Sequence, residues 1–218
     1  MRKKSDIRLT TLLWCSAGAV AAAAIAACGT GGEATETTTG AGEPMACLNI
    51  AALALPATTI TLAEIVPAGP FTPPGASRPL ELPTFCRIAA TTAPAINFEV
   101  WLPTEGWNGK FHTSGNGGMA GVISYTAMAS ALERGYAAAS TDTGHVRGDT
   151  GGFDASWALN RPDLIEDFGH RSMHLTAVHG KAITEAFYGN APSYAYYVGC
   201  SKGGQQGMME AQRYPDDF

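Results

Sequence analysis

The sequence is short of charge. Only 15% of its 218 residues are Asp, Glu, Lys or Arg, and 14 basic residues face 19 acidic ones. At a formal net charge of -5 it lacks the basic face that phosphate contacts need, which excludes a nucleic-acid partner. Low charge with 45% hydrophobic residues excludes a disordered chain, and the hydrophobic residues are too dispersed for a multi-span membrane protein. Five cysteines are too few for a disulfide scaffold. The five histidines, His112, His145, His170, His174 and His179, all lie before Ser201, and none follows it. His170 and His174 share a helix face but enclose no H-E-x-x-H glutamate, so no metal site is expected and the histidines read as structural or surface residues. What the chain does have is glycine and proline, 26 and 13 residues, which point to many turns and a loop-rich α/β or β architecture.

The N-terminus reads as an address. Arg2, Lys3, Lys4 and Arg8 precede an apolar stretch, Leu9 to Ala27, that closes on Ile25-Ala26-Ala27-Cys28. A basic start, an apolar core and small residues at the exit describe a secretory signal peptide over residues 1–27. The last four residues fit a bacterial lipobox, with Cys28 lipidated as the first mature residue. An ordinary signal peptide and a single membrane anchor are the alternatives. Residues 28–45 carry only three charges, Glu33, Glu36 and Glu43, and no apolar periodicity, so they read as a flexible tether. Secretion would place the globular part, residues 46–218, in the cell envelope or outside the cell, where cysteines oxidise. Cys15 leaves with the signal and Cys28 carries the lipid, which leaves Cys47, Cys86 and Cys200, an odd number, on the domain.

In that part Ile96–Leu102 alternates apolar and polar residues as a half-buried strand does. Lys110–Ser114, Tyr136–Thr141 and Tyr194–Val198 also read as strands. Ile123–Arg134, His170–Phe187 and Lys202–Tyr214 read as helices, with residues 143–163 a long loop. The alternation predicts an α/β fold with a parallel or mostly parallel sheet.

The chemistry sits at Gly199-Cys200-Ser201-Lys202-Gly203, a G-x-S-x-G pattern between a predicted strand and a predicted helix. That context is what a nucleophile elbow requires. The turn is tight, the serine hydroxyl is presented at the sheet edge, and the helix N-terminus behind it favours negative charge. Ser201 is the candidate nucleophile and the Lys202 amide a candidate oxyanion donor. Gly115-Asn116-Gly117-Gly118, after an earlier strand, suits the second donor, though a plain β-turn has the same composition. In an α/β-hydrolase the acid and the histidine follow the serine. Here Asp216 and Asp217 lie about four helical turns on and should point away from the site.

The stretch from Asp167 to Phe218, ending GCSKGGQQGMMEAQRYPDDF, resembles the tannase and feruloyl esterase family, to which mono(2-hydroxyethyl)terephthalate hydrolase also belongs. LPTFCRIA around Cys86, EVWLPTEGWNGKF from Glu99, GNGGMAG from Asn116 and STDTGH from Ser140 fit in the same order. The resemblance implies an α/β-hydrolase core with an inserted lid, cut short here after the elbow helix so that the later strands, the lid, the acid and the histidine are absent. It implies a secreted or lipid-anchored serine esterase acting on small aromatic esters, with Ser201 as nucleophile and the amides of Gly118 and Lys202 as oxyanion hole. It implies a Cys47–Cys86 disulfide, and for Cys200 a partner beside the missing histidine. It implies no cofactor in this stretch and a calcium ion in the lid. A disulfide closing about 40 residues contributes on the order of 4 kcal/mol. Another serine hydrolase, a lipase or a peptidase, and a non-catalytic surface lipoprotein with a degenerate hydrolase fold are the competing readings.

Overall fold

Eight strands are threaded through the domain in a computed structural model that describes residues 42–148 and 152–218. In chain order they are β1 (Thr58–Val66), β2 (Gly69–Phe71), β3 (Leu80–Leu82), β4 (Phe85–Thr92), β5 (Ile96–Pro103), β6 (Lys110–Ser114), β7 (Ala137–Thr141) and β8 (Tyr194–Val198). The helices are α1 (Tyr125–Leu132), α2 (Pro162–Glu166), α3 (Ser172–Tyr188) and α4 (Lys202–Arg213). Short 3-10 turns cover Cys47–Ala52 and Ser156–Ala158, and a π-turn over Asp167–Arg171 leads into α3. The expectations for the signal sequence, for Cys28 and for most of the tether lie outside the described residues. At the tether's end, the Met45 amide donates to the Ala186 carbonyl at 2.9 Å, so the chain is already held against the body there.

Six strands form one sheet in the order β1-β4-β5-β7-β6-β8, and β2 and β3 form a separate ribbon. The sheet is mixed, which corrects the mostly parallel expectation. The pairs β1–β4, β4–β5 and β5–β7 are antiparallel; only β6–β7 and β6–β8 are parallel. The reason is the connection between β4 and β5, three residues long, which permits a hairpin and no crossover. The parallel part is confined to the strands that alternate with α1 and α3.

Side chains on successive strand positions point to opposite faces, and the two cores follow that rule. On one face Cys86, Ile88, Phe98, Val100, Leu102, Phe111, Ala137 and Ala139 pack with Ile50 and with Ile183 of α3. On the other Phe85, Trp101 and Ala138 pack with Met128 and Leu132 of α1. β7 is buried along its whole length, because helices cover both of its faces; small alanines let them approach. Gly180 lets α3 lie on the sheet, since a Cβ there would meet the Phe111 ring at 2.5 Å. Cys47 and Cys86 are disulfide-bonded, tying the first 3-10 turn to β4. Among the described residues no helix is long and apolar enough to cross a membrane.

The second core encloses an ion pair that the sequence did not announce. Arg87 donates to both oxygens of Glu99, at 2.9 and 2.6 Å, and Glu99 also accepts from Trp101 Nε1 and Tyr125 OH. Glu64 adds a third contact to Arg87 at 3.1 Å. Facing positions Arg87 and Trp101 on β4 and β5 place these partners on one face.

Candidate active site

β8 ends at Val198, and the chain turns through Gly199, Cys200 and Ser201 into the twelve residues of α4. Ser201 has φ 57° and ψ -118°, a conformation that an L residue adopts only at a cost. The turn is tight because the first turn of α4 lies on it. A Cβ at Gly199 would fall 2.6 Å from the Gly203 carbonyl. The Gly203 amide donates to Asn116 O at 2.7 Å, which ties the elbow to the loop after β6.

That loop is fixed from several sides. The Gly115 amide donates to Val198 O at 2.9 Å, and a Cβ on Gly115 would collide with the Tyr197 hydroxyl. Asn116 is 3% exposed, and its Nδ2 donates to Val122 O and Thr141 O at 2.9 and 2.8 Å. Its amide and its Oδ1 both bond to Gln206, one and a half turns into α4. Tyr197 OH donates to Gly203 O at 2.7 Å, and burial pushes that phenol's pKa well above its ordinary value. Gly118 follows at φ 59°, with the Met119 amide bonded to Gly152 O at 2.7 Å.

These constraints bring Gly118, Ser201 and Lys202 to one open cleft of about 420 Å³. The sequence singled out all three. Four further residues that line it, Met119, Phe153, Phe168 and Gln205, were not foreseen. Phe153 and Phe168 come from the segment read as a loop and from the π-turn, where no periodicity marks a side chain's direction. Gln205 lies four residues after Ser201, and helical spacing could have found it. The Lys202 amide opens α4 and has no carbonyl one turn back to bond, so it is available to an incoming oxyanion. The Lys202 ammonium lies 3.5 Å from the centre of the Phe168 ring and donates to Gln205 Oε1 at 3.3 Å.

None of the five histidines lines this cleft. His112 is buried beside Ser114, and burial pushes its pKa down to about 4, so it stays neutral. His145 stacks on Trp157 at 3.8 Å and hydrogen-bonds to Met119 O at 2.7 Å, bracing the loop behind Gly118. His170 bonds to the Tyr214 hydroxyl, and His179 stacks on Phe98. His174 Nδ1 meets Asp217 Oδ2 at 2.7 Å, so the tail that was expected merely to point away folds back onto α3. Glu210 completes a cluster whose donor atoms all lie within 4.8 Å, a spacing that could hold a cation and that no sequence motif displays. Lys181 bonds to Asp217 O at 2.8 Å and supplies positive charge there already.

A wider groove of about 650 Å³ runs along β8 and α4 past Gly207, Met208, Tyr214 and Phe218. Its lining is mostly apolar and contains no serine, cysteine or histidine, so the smaller cleft at Ser201 is the candidate site. Cys200 beside it is exposed and outside any disulfide of the described residues.

Residues 81–218 match the family model "Tannase and feruloyl esterase". An uncharacterized esterase of Xanthomonas campestris pv. campestris is 44% identical over 177 residues, covering 79% of this chain and 30% of that protein. A probable feruloyl esterase B-1 of Aspergillus fumigatus is 44% identical over 138 residues, covering 62% of this chain and 25% of that protein. Among solved structures, feruloyl esterase B from Aspergillus oryzae superposes with a TM-score of 0.69 at 35% identity, over 78% of this chain and 34% of that one. The chain thus spans about a third or less of the length of these relatives. The mixed sheet, the serine elbow on its last described strand and the match over more than half of the sequence place the chain in the tannase and feruloyl esterase family.

Proposed function

We propose that the protein is a serine esterase that hydrolyses carboxylic esters of aromatic acids through an acyl-enzyme. The observation that carries this is the cleft in which Ser201, held at positive φ on the strand-to-helix turn, lies with Gly118 and the first residue of α4. Ser201 Oγ attacks the ester carbonyl carbon, and a general base takes its proton. The amides of Gly118 and Lys202 hold the oxyanion, each donor lowering the barrier by roughly 3 kcal/mol. The carbonyl–alkoxy bond then breaks, the proton goes to the departing alcohol, and water releases the acid from Ser201. Among the described residues neither a histidine nor a carboxylate lines the cleft; the family resemblance puts both the histidine base and its acid after the serine in chain order. The calcium ion that the family resemblance implies belongs with a lid; the cleft's lining holds no carboxylate, and no step is assigned to the ion.

The protein is exported and held at the envelope by lipid on Cys28. The basic start and the small-residue exit at Ala27 support this, as does a disulfide between Cys47 and Cys86, a bond that persists in oxidising compartments. The test is hydrolysis of ethyl ferulate and methyl gallate by the full-length gene product and by its Ser201→Ala variant. Release of ferulate or gallate that vanishes in the variant is expected. Wild-type protein inert on a broad ester panel, or a fully active variant, would overturn the reading.

A further inference from the structure

Lys202 enters the cleft twice, once through its amide and once through its side chain. The residue is only 8% exposed, yet it lines the cleft beside Ser201 and Gly118. An ammonium offers three donors. Here one of them goes to a neutral acceptor, Gln205 Oε1, and the charge rests on the face of Phe168. None of the ion pairs of the described residues involves Lys202. Taking an ammonium out of water without a counter-ion is costly, and burial accordingly lowers its pKa. The ring beneath it is not free to follow, because Phe168 is packed against Trp157 and His145 at centroid distances of 5.0 and 5.9 Å. The charge also sits at the N-terminus of α4, so the helix adds to the positive potential.

A cation held this way lacks one thing, an anion, and the cleft's lining contains none. We infer that Lys202 is a specificity-determining residue that selects ester substrates bearing a carboxylate close to the scissile carbonyl. This rests on the esterase reading of the same site. The four-carbon stem keeps the ammonium within about 6 Å of the Lys202 Cα, while the amide of that residue marks where the carbonyl oxygen sits. One residue therefore fixes both the reacting group, through its backbone amide, and the distance to the charged substituent, through its side chain.

The experiment compares matched esters on the full-length protein. For the acyl side the pair is 4-nitrophenyl butanoate and 4-nitrophenyl hydrogen succinate. For the alcohol side it is ethyl ferulate and the ferulate ester of glycolic acid. The readout is the ratio of kcat/KM, charged over neutral, within each pair, which cancels any effect of substitution on the oxyanion amide. In one pair the ratio should fall about tenfold in Lys202→Met, as expected for loss of one charge-assisted hydrogen bond, be retained in Lys202→Arg, and fall further in Lys202→Glu. Ratios in both pairs that do not depend on residue 202, with the neutral esters still cleaved, would overturn the inference and leave the esterase reading standing. A wild-type protein that cleaves none of the four removes both.

Discussion

Asn116 and Gln206 exchange two hydrogen bonds, the Asn116 amide donating to Gln206 Oε1 and Gln206 Nε2 donating to Asn116 Oδ1, both at 3.0 Å. They lie 90 residues apart, and both are buried. The pair clamps the glycine loop after β6 to the elbow helix, so the two proposed oxyanion donors move together. Gln206→Leu leaves a buried amide and a buried carbonyl oxygen without partners, which costs about 1–3 kcal/mol. The expected result is a lower urea midpoint and a kcat on ethyl ferulate reduced by at least tenfold. An unchanged kcat would show that the loop is held in place without this pair.

Ser201 carries backbone strain on the strand-to-helix turn. A non-glycine residue at φ 57° and ψ -118° carries a cost of roughly 1–3 kcal/mol, part of which a glycine relieves. Ser201→Gly should therefore melt higher than Ser201→Ala, by about 1 kcal/mol, although neither cleaves esters. Thermal denaturation of the two variants side by side measures this. Equal stabilities would mean that the elbow imposes no strain.

Much of this site was legible in the sequence, for a physical reason. G-x-S-x-G constrains the backbone locally: Gly199 must admit the Gly203 carbonyl, and the strand before and helix after follow from their own periodicities. Strands β5, β6 and β8 and the two long helices were readable on the same grounds. The antiparallel half was not, because β2 and β3 have only three residues each, β1 and β4 are mixed in polarity, and pairing direction depends on connections rather than on composition. Nor was Asn116–Gln206, whose partners meet only once the sheet is assembled. The cleft's aromatic wall at Phe153 and Phe168 was invisible because it comes from irregular segments. His174–Asp217 was read as two unrelated positions, since a chain reversal after α4 has no periodic signal.

The ion pair under α1 should behave as a unit. Glu99 is 3% exposed and accepts from Arg87, Trp101 and Tyr125. Glu99→Leu leaves a buried guanidinium with only the partly exposed Glu64 as counter-ion and should cost about 3 kcal/mol in chemical denaturation. Replacing both partners, with Arg87→Met and Glu99→Leu, should recover most of that loss, because the desolvation of the charges disappears with them. Additive losses in the double variant would show that the charges act independently.

Glu210 makes stability fall as pH rises. Glu210 is 2% exposed, and burial first, then the facing Asp217 carboxylate, push its pKa up to about 8; Lys181 opposes the shift, and His174, bonded to Asp217, has a ring nitrogen within 4.8 Å of the Glu210 carboxyl. A carboxyl whose folded pKa lies above its unfolded value of 4.5 binds its proton more tightly in the native state. Its contribution is complete below the unfolded pKa and is lost as pH rises through the folded one. Asp142, pushed up to about 6, and His112, pushed down to about 4, titrate in the same range and would obscure the slope in the wild type alone. They cancel when the wild type is subtracted from Glu210→Gln, which mimics the protonated acid. The stability of Glu210→Gln relative to wild type, followed as the urea midpoint from pH 4.5 to 9, should therefore rise with pH and level off above 8. A difference that stays flat across that range would show that Glu210 ionises in the folded protein as easily as in the unfolded chain.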